Sequence, residues 1–162
     1  MKNGVPTASR PRKTVSRELG LALISIASLL SACSSGRVIE ITANDQMQYS
    51  TNRFEAKTGE KVILTLRHVG QLPVTSMGHN LVILNQGSDI DAFAAAAIEA
   101  GEASGYIPDQ FRSEIVAHTE LIGGGQSTKI EFTAPEPGTY PFLCSFPAHA
   151  AVMRGEFVVS SP

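Results

Sequence analysis

A chain of 162 residues is long enough for one sizeable core with an appendage. From residue 33 onward it holds eight Lys and Arg against fourteen Asp and Glu, a formal charge of −6. An acidic domain of this kind argues against nucleic acid as a partner, because phosphates demand basic patches.

The first seventeen residues carry Lys2, Arg10, Arg12, Lys13 and Arg17, and the stretch from Leu19 to Leu30 is almost wholly apolar or small. A basic start followed by about a dozen apolar residues reads as an export signal, too short and wrongly flanked for a membrane-spanning helix. It ends Leu30-Ser31-Ala32-Cys33, similar to a bacterial lipobox in which Cys33 becomes the lipidated first residue. The expected organisation is a lipoprotein signal over 1–32, a lipidated N-terminus and tether over 33–36, and a folded domain over 37–162. An exported chain anchored to a membrane of the cell envelope follows. Cys144 is then the single thiol left, marked as reactive, intermolecular or metal-bound.

Within the domain, Arg37–Ala43 alternates as a strand does, and the turn at Asn44-Asp45 leads to an irregular second strand from Gln46 through Phe54. Lys61–Arg67 is rich in β-branched and apolar residues and reads as a strand, followed by a loop over 69–73 and a strand over His79–Leu84. The period then changes. Residues 89–102 are alanine-rich, with Ser88 or Asp89 as N-cap and Gly101 near the end, and read as a helix. Tyr106–Ser113 reads as loop, and Ile115–Leu121, Thr128–Thr133, Thr139–Leu143 and Gly155–Val159 read as strands between Gly and Pro turns. Seven or eight short strands with one inserted helix predict an all-β, Greek-key sandwich or barrel.

The chemistry concentrates near the C-terminus, where Cys144, His149 and Met153 fall within ten residues. Thiolate, imidazole and thioether suit copper and suit magnesium or calcium badly. An electron-transfer copper site takes a trigonal His-His-Cys set with a weak axial Met, so a second histidine must come from elsewhere. His68 ends a strand, His118 sits at a strand or loop edge, and His79 opens an apolar strand behind Met77-Gly78. Spacing ranks His79 first without deciding among the three.

Asp45-Gln-Met-Gln48, Met77-Gly-His-Asn80, Ala117-His-Thr119 with Leu121-Ile-Gly123, and Cys144-Ser-Phe-Pro-Ala-His149 through Met153-Arg-Gly155 together resemble the azurins, in order from Val38 to Val159. A tethered form also resembles the auracyanins, azurin-like proteins held on bacterial membranes. The resemblance implies a cupredoxin fold with a helical flap, one copper ion and electron transfer rather than catalysis. It implies His79, Cys144 and His149 as equatorial ligands, Met153 and the Gly78 carbonyl as axial ones, and donation to the Cys144 sulfur by Asn80 and the Phe146 N–H. It implies redox proteins as donors and acceptors and no small-molecule substrate. Met47, Met77, Phe146, Pro147 and Ala148, with Ala150 and Val152, are the candidates for an apolar docking patch around His149. His68 is expected to be partly buried and structural, and His118 to lie on the surface. The chain departs from the azurins in lacking their N-terminal disulfide, in Leu81 where many carry tryptophan, and in Ala148 in place of glycine. A copper storage or delivery role is the alternative, and a Cys-His nucleophile would want an orienting third group.

Overall fold

The structure is a computed structural model that describes residues 1, 2, 4 and 36–162. The signal expected over 1–32, apart from residues 1, 2 and 4, and the expected lipid anchor Cys33 lie outside the described residues.

Among the described residues, nine strands form two sheets. The first has the order β2-β1-β4-β7, from β1 (Arg37–Asn44), β2 (Gln48–Tyr49), β4 (Lys61–His68) and β7 (Ser127–Thr133). The second has the order β3-β9-β8-β5-β6, from β3 (Arg53–Lys57), β5 (Val82–Leu84), β6 (Ile115–His118), β8 (Gly138–Leu143) and β9 (Arg154–Ser160). Two pairs, β1 with β4 and β3 with β9, are parallel, and the remaining pairs are antiparallel. This is the expected sandwich.

Alternation decides which side chains fill it. Along β4, Val62, Leu64, Leu66 and His68 turn inward while Lys61 and Arg67 face water. They meet Phe54, Phe142 and Phe157, with the Phe54 and Phe157 rings stacked at 4.8 Å. A second core lies on the other side of the second sheet. All three residues of β5 are buried, because Val82 and Leu84 pack with Leu143 under Phe93 and Ala97 of α2 (Ile90–Ala100). Asp89 caps that helix through its carboxylate, which accepts from the N–H groups of Asp91 and Ala92, and Gly101 ends it at φ 75°.

Several elements differ from the sequence reading. The single irregular strand from Gln46 to Phe54 is two strands in different sheets. Asn44 accepts from the N–H groups of Gln46 and Gln48 and turns the chain, with Met47 at φ 55°. The strand beginning at His79 pairs continuously only from Val82, because Leu81 donates its N–H to the Thr119 hydroxyl instead of a ladder partner. That same hydroxyl side chain ends β6 at His118, short of Leu121. Between the expected loop at 69–73 and His79 lies a helical turn, α1 (Val74–Met77), and the expected loop over Tyr106–Ser113 contains most of a 3₁₀ segment over Asp109–Glu114. Both are too short to show a helical period.

Candidate metal centre

His79, Cys144 and His149 come together at one end of the sandwich, with their donor atoms within 4.8 Å of one another and all three side chains buried. Cys144 follows β8, and its N–H donates to the Met153 carbonyl at 2.9 Å, closing the loop between β8 and β9 at its base. Inside the loop His149 donates to the Phe146 carbonyl, and Val152 and Met153 donate back to the His149 carbonyl. The compact loop carries Cys144, His149 and the buried Met153.

His79 arrives separately. Its backbone exchanges both hydrogen bonds with Ile122, and its Nε2 meets the Asn44 carbonyl at 2.9 Å. A carbonyl only accepts, so Nε2 carries the proton and Nδ1 keeps its lone pair. That Nδ1 lies 3.8 Å from the Cys144 Sγ, and the His149 Nδ1 lies 3.5 Å from it. A trigonal ion at ordinary metal–nitrogen and metal–sulfur lengths separates such donors by about 3.8 Å. The three side chains therefore already stand where one ion needs them. Gly78 places its carbonyl 3.9 Å from the same sulfur. A Cβ there would stand 2.7 Å from the Val74 carbonyl oxygen and 2.8 Å from the Phe146 ring, so the close approach requires glycine.

Protonation suits metal capture. Burial lowers the pKa of His79 and of His149 from 6.5 to about 4, so both rings are neutral donors at pH 7. Burial pushes the Cys144 thiol up to about 11, opposed by the N–H groups of Asn80 and Phe146 and by the Tyr49 hydroxyl. Copper uptake must therefore release the thiol proton.

The side chain of Asn80 is engaged away from the sulfur. Its Oδ1 accepts from the Ser145 N–H at 2.9 Å, and its Nδ2 donates to the Ser145 hydroxyl at 2.7 Å and to the Gly105 carbonyl at 3.1 Å. The side chain ties the His79 segment to the loop, while the backbone N–H faces the sulfur.

His68 is fully buried at 1% exposure, where partial burial was expected. Its Nε2 meets the Met77 carbonyl, its Nδ1 accepts from the Gly70 N–H, and its ring lies 4.5 Å from that of His79. Both nitrogens are engaged, so it supports the site without a lone pair to give. His118 is half-buried on β6 rather than on the surface, outside the donor cluster. Around the site Ala148 and Val152 are exposed, Met47 is 36% exposed, and Met77, Phe146 and Pro147 are half-buried. Ala150 does not join this rim. It is buried in the second core against α2. Asn44, Tyr49, Thr119 and Ser145 were not legible as site residues, since each acts through a contact far away in sequence.

The chain matches the family described as "Copper binding proteins, plastocyanin/azurin family" over residues 37–160. The chain belongs to this family. It is 37% identical over 146 residues to the azurin of Pseudomonas aeruginosa, covering 83% of this chain and 94% of that protein. Outer membrane protein H.8 of Neisseria gonorrhoeae is 37% identical over 119 residues, 72% of this chain and 63% of that protein. Among solved structures, the dithionite-reduced auracyanin of Roseiflexus castenholzii superposes with a TM-score of 0.69 at 36% identity, covering 77% of this chain and 98% of that one. Family membership and the buried His-Cys-His cluster together establish a blue-copper protein that holds one copper ion.

Proposed function

We propose that this protein shuttles single electrons between redox proteins in the cell envelope. The observation that carries the reading is the closed donor set: His79 and Cys144 are 0% exposed, His149 is 3% exposed, and all are fixed by hydrogen bonds or neighbouring rings before any ion arrives. Bound copper supplies a one-electron couple at this position. The chain's contribution is to keep the donors still, because small rearrangement between oxidation states makes transfer fast. In this reading the buried Met153 thioether and the Gly78 carbonyl would be the further, weaker donors to the ion.

Ala148, Val152, Met47, Met77, Phe146 and Pro147 form the docking rim, with the Phe146 ring 4.6 Å from that of His149. An apolar rim without charge suits brief docking of redox partners. Relatives named azurin and outer membrane protein H.8 support an exported, envelope-side location. The lipobox-like Ser31-Ala32-Cys33 supports a lipid anchor at Cys33 following a signal over 1–32. Storage or delivery of copper is the weaker reading, since exchange favours accessible ligands and these are buried.

Adding Cu(II) to the purified protein is expected to give an intense blue charge-transfer band that bleaches reversibly with a reductant. Cys144→Ser is expected to abolish the band entirely. A blue Ser variant, or a wild type that loses its copper on reduction, overturns the proposal.

A further inference from the structure

The two ends of the sandwich are built for different surroundings. β1 and β4 run side by side from Arg37 and Val62 to Ala43 and His68, and the Asn44 carbonyl at the close of β1 meets His79. β9 starts directly after Met153 and runs parallel to β3, ending with Ser160 beside Lys57. At that far edge the turn over 58–60 joins the two sheets, with the Thr58 N–H donating to the Ser160 carbonyl and the Gly59 N–H to the Ala134 carbonyl. The eight residues of β1 put about 23 Å between the far edge and the His79 end. The chain enters at the far edge, where Gly36 lies so close that a Cβ would stand 2.8 Å from the Lys61 carbonyl oxygen. Resting on the lipid anchor at Cys33 proposed above, we propose that this far edge is a membrane-contact face, seated on anionic lipid headgroups, that holds the copper end out toward redox proteins in the water.

Chain length sets the reach. Only Ser34 and Ser35 separate Cys33 from Gly36, and three Cα steps span about 11 Å at full extension. A lipid on Cys33 keeps Gly36 within that distance of the headgroups, while β1 alone is twice as long. Reach leaves the domain free to lie on its side, and charge removes that freedom. At the far edge Arg37, Lys57 and Lys61 stand against Glu60, Glu136 and Glu131, the last paired with Lys61 at 2.6 Å, so the edge is formally neutral. The full −6 of the domain therefore falls on its flanks and its copper end. An anionic surface repels those parts and spares the edge. Val38, next to Arg37 at the root of the tether, is 71% exposed, an apolar side chain suited to the headgroup boundary. The copper then exchanges electrons with a protein group standing clear of the bilayer rather than with a carrier dissolved among the acyl chains.

The test uses the protein recovered from membranes and reconstituted in vesicles of phosphatidylcholine and phosphatidylglycerol that carry an energy-transfer acceptor on their headgroups. A donor dye is placed at Ser161→Cys on the far edge or at Val152→Cys beside the ligand loop, both exposed positions, while the native Cys144 is buried and escapes labelling. Transfer is read against acceptor-free vesicles. It is expected to be about threefold more efficient from position 161 than from 152, given the ~23 Å between the two ends. Inserting twelve Gly and Ser residues between Ser35 and Gly36 is expected to bring the ratio toward one, and so is Arg37→Glu combined with Lys57→Glu. Equal transfer from the two positions, or a contrast that survives both changes, overturns the inference and leaves the electron-transfer reading standing. The mass of the N-terminal peptide judges the anchor separately: an unmodified Cys33 overturns the anchor and the membrane-contact face with it.

Discussion

His79 and Cys144 aim at the same point from segments held by different kinds of contact. The partners that fix His79 and its neighbours are remote in sequence: Asn44 is 35 residues from His79, and Thr119 is 38 residues from Leu81. The loop from Cys144 to Met153 folds mainly on itself, through bonds from His149 to Phe146, from Val152 and Met153 to His149, and from Cys144 to Met153. One half of the centre is thus a product of the finished sandwich. The other is a local structure that needs the sandwich chiefly to hold its two ends, adjacent in β8 and β9. Pre-arrangement is reached from both directions, and the Asn80 side chain joins them.

The largest effect that probes this contrast is acid. Both ligand histidines have pKa values lowered by burial to about 4, against 6.5 in the unfolded chain. Between those values the unfolded chain binds more protons, so this stability is complete above pH 6.5 and lost as pH falls toward 4. For the copper-free protein the loss is roughly 3 kcal/mol for each histidine. Denaturant unfolding at pH 7.5 and 4.5 measures it, and imidazole NMR signals assign it. Two rings titrating near 4 show that both halves close without metal. A ring titrating near 6.5 identifies the half that copper has to close.

Cutting the joint comes next in size. Asn80→Ala removes three side-chain hydrogen bonds and leaves the buried Ser145 N–H without its partner. The expected loss is about 2–4 kcal/mol in copper-free unfolding. A loss below 0.5 kcal/mol would mean that the halves hold their places independently.

The smallest effect belongs to the loop alone. Ala148 sits at φ 67°, a left-handed conformation that is costly for a residue with a Cβ and open to glycine. Ala148→Gly is expected to stabilise the protein by about 0.5–1 kcal/mol, seen as a rise in Tm. A fall in Tm would mean that contacts of the Ala148 methyl outweigh the strain.

The same contrast explains what could be read in advance. Cys144, His149 and Met153 were legible because their geometry is written within ten residues, and α2 because its alanines, its Asp89 cap and Gly101 are local signals. Among His68, His79 and His118, composition could only rank. The decision lies in which ring nitrogens are already taken, and the carbonyls of Asn44 and Met77 that take them belong to the fold. The resemblance put Asn80 beside the sulfur, and its backbone N–H is there, whereas the engagement of its side chain with Ser145, across 65 residues, belongs to the fold. The resemblance to azurins carried information that spacing did not, and it said nothing about Tyr49.

The span between the two ligand segments has one more consequence. His79 and Cys144 stand 65 residues apart in the chain, and Cys144 is a free thiol in a domain whose sequence lacks the cysteines for the disulfide of the azurins it resembles. A bond between such positions closes a long loop in the unfolded chain, which in the chain-entropy account is worth about 4 kcal/mol. The copper is then also this domain's cross-link. A protein that trades a sulfur–sulfur staple for a metal one has its durability set by the supply of that metal.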